Sequence, residues 1–116
     1  MKFLGEIITN AGALVHSYTA IVATTSLTTL VSLPAASYRS VEVNIQVTQL
    51  STYHATKLLV LHNDTDANIT EYATLTSNGN LATFSATVSA GNLIIQTTQG
   101  SATSATYKIN IIANPV

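Results

Sequence analysis

Residues 41–47 alternate strictly between apolar and polar side chains, and this pattern limits the possible folds more than any other feature of the chain. The apolar positions are Val41, Val43, Ile45 and Val47, and the polar positions between them are Glu42, Asn44 and Gln46. A period of two places one row of side chains on a core and the other row in water. We therefore expect a β-strand with one buried face.

Turn-forming residues divide the second half of the chain into short segments. An Asn-Gly pair at 78–79 favours a tight turn with positive φ, and glycines at 91 and 100 mark two further turns. Strands that recur about every 8 to 12 residues with turns between them are typical of sandwiches and barrels. We predict an all-β protein, an antiparallel β-sandwich or barrel of about seven to eight short strands with an N-terminal arm.

The segment 58–61 is apolar at four consecutive positions. Such a run suits a central strand that is covered on both faces, either by a second sheet or by a neighbouring subunit. Leu59 and Leu61 are therefore interface candidates. Tyr53 and Tyr72 flank this strand and are further candidates, because tyrosine combines apolar area with a polar tip and suits contact with a protein or a sugar.

The first third of the chain has a weaker pattern. Apolar residues between positions 4 and 15 fall at helical spacing, but Gly5, Gly12 and β-branched residues disfavour a stable helix. We expect residues 1–19 to form an extended arm that docks on a partner, with Phe3 and Ile7 as interface candidates. Residues 20–116 then form a single β domain.

The composition favours association with other copies of the chain. Only 8% of the residues are Asp, Glu, Lys or Arg, whereas roughly a quarter are charged in an average soluble domain. The hydrophobic fraction of 47% argues against disorder. A net charge of −1 protects an isolated monomer poorly against association, so we expect a homo-oligomer.

Several classes of partner and site are not expected. Four cationic residues cannot neutralise many phosphates, so we expect no nucleic-acid partner. We expect no membrane partner, because no apolar run approaches the roughly 20 residues of a spanning helix, and polar residues interrupt the N-terminal run where a signal peptide would need continuity. The chain has no cysteine, which removes disulfides and thiol catalysis.

The acidic segment 64–68 resembles the opening of a calcium loop only in part. It supplies side-chain oxygens at alternate positions, as an EF-hand does. Ile69 stands where that loop needs Gly, and Leu75 stands where it needs Glu. We predict a β-turn capped by Asx side chains and no metal or other cofactor.

The titratable residues do not predict an active site. His54, His62 and Glu71 lie on two successive predicted strands, but about 27 Å of extended chain separates the two histidines, so they cannot share a metal without a bend. We expect both rings to be hydrogen-bonded at a strand end or an interface. Glu71 with Glu42 is the one acidic pair to consider for glycoside hydrolysis. No Gly-x-Ser-x-Gly elbow or phosphate loop occurs, and an enzyme is not expected.

Four stretches of the sequence resemble a known module. They are Lys57-Leu58-Leu59-Val60-Leu61-His62 with Asn63 and Asp64, Thr70-Glu71-Tyr72-Ala73-Thr74, Leu81-Ala82-Thr83-Phe84, and residues 101–109. Together they resemble a β-rich module of tail-fibre, capsid-decoration and other virion proteins of tailed bacteriophages, particularly those of marine and cyanobacterial hosts. The resemblance covers about half of the chain and contains no catalytic motif.

This resemblance implies a non-enzymatic structural protein of the virion. The expected form is a homotrimer that decorates or cements the capsid, or a fibre-like component, in contact with other virion proteins such as the major capsid protein. The alternative is a carbohydrate-binding module at a fibre tip that recognises a glycan on the host surface.

Overall fold

The computed structural model describes residues 6–116, which form nine antiparallel β-strands in two sheets. The strands are β1 (Glu6–Ile8), β2 (Leu14–Val22), β3 (Thr28–Pro34), β4 (Tyr38–Gln49), β5 (Thr52–His62), β6 (Ala67–Thr76), β7 (Ala82–Ser89), β8 (Asn92–Gln99) and β9 (Ala105–Pro115). The predicted all-β antiparallel sandwich is confirmed, with nine strands instead of seven or eight. Within 6–116 there is no helix with the length and apolarity needed to cross a bilayer.

The two sheets are unequal in size. Sheet A has six strands in the order β1-β2-β9-β4-β5-β6, and sheet B has three strands in the order β3-β8-β7. Sheet B packs on one face of sheet A, which we call the inner face. The opposite face of sheet A, the outer face, is covered by no other described part of the chain.

The core lies between the sheets and confirms the alternation in β4. Val41, Val43, Ile45 and Val47 are completely buried on the inner face. Apolar residues of the neighbouring strands meet them there, and they include Leu58, Val60, Leu93, Ile95, Ile109 and Ile111. Full burial of one such aliphatic side chain contributes about 1.5 to 3 kcal/mol to folding. This row therefore supplies much of the driving force for folding.

Two predicted turns have the backbone geometry that their residues suggested. Gly79 follows Asn78 with φ of 82°, but β6 and β7 lie in different sheets and do not pair, so this connection links the two sheets and does not close a tight hairpin. Ala90 and Gly91 join β7 to β8 with φ of 50° and 79°, and Ser89 pairs with Asn92 across them. Positive φ at both central residues is the signature of a type I′ turn, whose twist matches that of the flanking strands.

The N-terminal region differs from the predicted arm. β2 pairs with β9 along its whole length, from Leu14 opposite Ala113 to Val22 opposite Ala105. Leu14 and Val22 are both buried. The boundary expected at residue 19 therefore falls inside a strand of sheet A. The period of two from Leu14 to Val22 determines the structure here, and the helical spacing of the preceding residues does not. Docking by residues 1–13 stays a prediction.

Truncation separates these two parts of the N-terminal region. We predict that removal of residues 1–12 leaves the β-sheet signal intact and lowers the melting temperature only slightly, because β1 is exposed along its length. Removal of residues 1–22 should prevent folding. It eliminates two buried aliphatic side chains, worth about 3 to 6 kcal/mol, and leaves the edge of β9 that faces away from β4 unpaired. Circular dichroism and thermal melts of both truncations test this, and equal loss of structure would contradict it.

A candidate interaction surface on the six-stranded sheet

The outer face of sheet A presents rows of side chains that run across the strands. One such row consists of Val15, Ile112, Glu42, Leu59 and Thr70, which are successive register partners on β2, β9, β4, β5 and β6. The next row is polar and consists of Ser17, Asn110, Asn44, Lys57 and Tyr72. Paired residues in a sheet point to the same side. The outer face thus mixes apolar, amide and charged groups.

An apolar stripe follows β5 and β6 on this face. We define it as Tyr53, Leu59, Leu61, Tyr72 and Leu75. Their relative exposures are 52%, 48%, 49%, 40% and 74% in that order. Lys57 is the only charged residue among the outward-facing positions of these two strands. Exposed apolar side chains grouped on one face of a small domain are typical of a site of interaction.

Four of the six interface candidates from the sequence lie in this stripe. Leu59, Leu61, Tyr53 and Tyr72 share the outer face of two neighbouring strands. Ile7 is on β1, at the opposite edge of sheet A. Phe3 lies outside the described residues. The structure therefore brings four candidates together and separates the fifth from them.

The run 58–61 is covered on one face within the chain. Leu58 and Val60 are completely buried against sheet B, whereas Leu59 and Leu61 remain about half exposed on the outer face. The second sheet expected from the sequence is present. Within residues 6–116, nothing covers the exposed halves of Leu59 and Leu61.

Leu75 belongs to the stripe although the sequence did not indicate it. Alternation from Tyr72 would place Leu75 on the inner face. A bulge opposite Thr56 shifts the register of β6, with Ala73 at φ of 54°, and turns Leu75 outward. A bulge that requires positive φ normally favours glycine. Since alanine occupies the position, the sequence carries no signal for the bulge.

A shallow depression lies beside the stripe on the same face. Its volume is about 360 Å³, and its lining residues are Val15, Glu42, Asn44, Lys57, Asn110, Ile111 and Ile112. We call it the amide depression, because the carboxamides of Asn44 and Asn110 are register partners at its centre. The side-chain amide oxygen of Asn110 accepts a hydrogen bond from the Ser17 hydroxyl, so the NH₂ group of the same amide points away from Ser17.

The two histidines of β5 are buried on the inner face, one near each end of the strand. His54 Nδ1 accepts a hydrogen bond from the Leu81 backbone N–H at 3.2 Å. His62 Nδ1 accepts from the Asp64 N–H at 3.0 Å, and its Nε2 donates to the Tyr38 carbonyl. The hydrogen bonding predicted for both rings is confirmed. Each ring is held as the tautomer with its proton on Nε2.

His54 approaches Glu71 without a hydrogen bond. Its Nε2 is 3.8 Å from the Glu71 Oε2, and this nitrogen is buried without a partner among the described residues. The carboxylate accepts instead from the Thr56 hydroxyl at 2.8 Å. Burial lowers the pKa of His54 below its ordinary value, and the Glu71 charge opposes this shift only in part.

The pair of acidic residues considered for hydrolysis is divided by the sheet. Glu42 lies on the outer face, because Val41 and Val43 on either side of it are buried. Glu71 is the register partner of the buried Leu58 and reaches Thr56 on the inner face. Two carboxylates on opposite faces cannot act on one glycosidic bond.

The acidic loop forms an Asx-capped turn as predicted, but the capping residue is Asn63, one position before the segment 64–68. The Asn63 side-chain oxygen accepts from the Thr65 N–H, the Thr65 hydroxyl and the Asp66 N–H, at 3.1, 3.0 and 2.7 Å. Asp64 pairs with Arg39 at 3.1 Å. From residue 6 to the C-terminus, no group of three or more His, Cys, Asp or Glu side chains has the proximity to hold a metal ion.

We predict that this loop depends on the Asn63 amide and does not depend on calcium. Asn63→Ala removes the acceptor of three hydrogen bonds and should lower the free energy of unfolding by about 1 to 2 kcal/mol. EDTA should leave the melting temperature of the unaltered chain unchanged. A fall with EDTA that calcium reverses would contradict the assignment.

Comparisons with known proteins give little further information. No protein-family model matches the chain, and no curated protein matches it significantly. Among solved structures, the chain is similar to the tailspike protein of Acinetobacter phage vB_ApiP_P1, with 19% identity and a TM-score of 0.44 over 98% of its length. It spans only 25% of that tailspike chain. An identity and a TM-score this low do not establish a common function.

Proposed function

We propose that this chain is a non-enzymatic structural module of a phage virion that works as a homo-oligomer, as a capsid-decorating or cementing protein or as a fibre-like component. The observation that carries the proposal is the apolar stripe on the outer face of β5 and β6. The sequence resemblance to virion modules includes residues 57–62 and 70–74, and these residues form about half of the two strands that carry the stripe.

A second copy of the chain is the partner that fits the stripe best. Leu59 and Leu61 are 48% and 49% exposed, so burial of their remaining surface contributes up to about 0.8 to 1.5 kcal/mol each. Copies with a net charge of −1 repel each other weakly. Tyr53 and Tyr72 add aromatic area of the type that is enriched in interfaces. A homotrimer is the form that the sequence resemblance implies.

Such a module acts by stabilising the assembled particle through contacts. Contacts between copies, and between the module and the major capsid protein, exist only in the assembled particle. They stabilise that state by mass action, since a partner that binds only the assembled form shifts the equilibrium toward it. Residues 1–13 are the segment proposed for attachment to the partner protein.

Charge placed in the stripe should separate assembly from folding. We predict that Leu59→Lys with Leu61→Lys leaves the circular dichroism spectrum unchanged and weakens self-association at least about 30-fold, as expected for the loss of about 2 kcal/mol from central contacts. Light scattering coupled to gel filtration measures the mass over a concentration series.

Two matched variants serve as controls. Leu58→Lys, one position away on the buried inner face, should abolish folding. Asn114→Lys, on β9 outside the stripe, should change neither folding nor mass. A chain that is monomeric at high micromolar concentration, or a double variant that assembles like the parent, would refute assembly through the stripe.

A carbohydrate-binding role is the second candidate, and the amide depression favours it. Its volume of about 360 Å³ lies within the range of small-molecule sites. Asn44 and Asn110 supply donors and acceptors, Glu42 supplies acceptors and Lys57 supplies donors, which suits the hydroxyls of a sugar. Val15 and Ile112 provide an apolar edge for its C–H groups. The proposed ligand is an oligosaccharide of the host surface.

Binding to a glycan array tests this second candidate with the full chain. We expect saturable binding to a restricted set of glycans, weakened about tenfold or more by Asn44→Ala or Asn110→Ala through the loss of about 1.4 kcal/mol. Asn114→Ala, an amide on the same strand as Asn110 but outside the depression, is the control. Absence of saturable binding, or equal effects of all three substitutions, would exclude the site.

A further inference from the structure

We propose that His54 is an acid-sensitive latch, which fastens the connection between β6 and β7 to the start of β5 and releases it when the imidazole takes up a second proton. The effect of the latch on assembly rests on the proposed function, because the fastened connection adjoins one end of the apolar stripe. Release would loosen that end and weaken assembly in mildly acidic solution.

Three hydrogen bonds fasten the connection to β5. The Ser77 N–H donates to the Tyr53 carbonyl at 2.9 Å, and the Tyr53 N–H donates to the Ser77 hydroxyl at 2.9 Å. The third bond is donated by the Leu81 N–H to His54 Nδ1 at 3.2 Å. Tyr53 is itself a stripe residue, and Thr76, the last residue of β6, is the register partner of His54. The latch and the stripe are therefore adjacent in the same strands.

The geometry makes the third bond depend on protonation. Nδ1 accepts the Leu81 N–H only while it carries no hydrogen, so the single proton of the neutral ring is on Nε2. A second proton must go to Nδ1. Two donors then face each other and the bond is lost. The ring is completely buried, so water does not solvate the new charge in place.

One neighbouring charge opposes this release. Glu71 on β6 places its Oε2 at 3.8 Å from His54 Nε2 and attracts the protonated ring. That carboxylate already accepts from Thr56, and its side chain is 34% exposed, so solvent screens the attraction. In the described part of the chain, the cross-strand partners of His54 are Val47 on β4 and Thr76 on β6, and its ring lies 6.0 Å from that of Phe84 on β7; none of these three carries a charge. Loss of the Leu81 bond and burial of charge outweigh the attraction.

The direction of the pH effect follows from the position of His54. Because burial lowers the pKa of His54, the unfolded or unlatched chain binds a proton more readily than the latched chain. The contribution of the latch to stability is complete above about pH 6.5, the ordinary histidine value. It decreases as the pH falls below that value, by up to about tenfold in the equilibrium constant per pH unit for one proton.

Nuclear magnetic resonance of the ¹⁵N-labelled full chain tests the latch directly. The chain has only three histidines, so each ring can be followed separately. We expect the nitrogen shifts of His54 to show the Nε2–H tautomer at pH 7.5. The Leu81 amide should shift with the same midpoint as His54 and lose at least about tenfold in protection between pH 7.5 and 5.5. Leu81 protection that is constant through the titration of His54 would overturn the latch, as would a ring that stays neutral until the whole chain unfolds.

A second measurement links the latch to assembly. His54→Asn provides an amide acceptor that does not titrate, and His16→Gln on β2 is the control. The dissociation constant of the oligomer should rise at least about tenfold from pH 7.5 to 5.5 in the parent chain and in the control, but not in His54→Asn. An equal rise in all three chains would overturn the latch. A chain that is monomeric at pH 7.5 would refute the proposed function, and the Leu81 titration of the parent chain would still decide the latch.

Discussion

Sheet B covers only one face of sheet A, and the rest of the molecule depends on this unequal packing. The inner face holds the alternating apolar residues of β4 and their neighbours on β5 and β9, which are completely or almost completely buried. Six strands opposite three leave the outer face without a partner among residues 6–116. Leu59 and Leu61 are half exposed for this reason, although they lie in the strand with the longest apolar run.

The low content of charged residues determines the surface chemistry of the outer face. Serine, threonine, asparagine and glutamine surround the stripe, and they keep the face polar without creating repulsion between copies. A permanently monomeric domain of this size normally relies on charge for solubility. A surface that is polar, weakly charged and partly apolar agrees with the proposal that the chain functions within an assembly.

The sequence predicted the features that depend on local pattern and missed those that depend on register or on distant contacts. The alternation of residues 41–47, the positive φ at Gly79 and an Asx-capped loop after β5 were all readable from adjacent residues. The outward position of Leu75 was not, because the bulge at Ala73 has no glycine to mark it. Neither was the contact between His54 and Leu81, which lie 27 residues apart and meet only when β7 packs against β5.

The proposed assembly buries the outer face of β5 and β6 between molecules. A cryo-electron microscopy map of the oligomer or of the particle that contains it, at side-chain resolution, tests this claim most directly. The proposed assembly predicts Leu59, Leu61 and Tyr72 in contact with a neighbouring copy of the chain. A map in which these three side chains face solvent in every copy would contradict it.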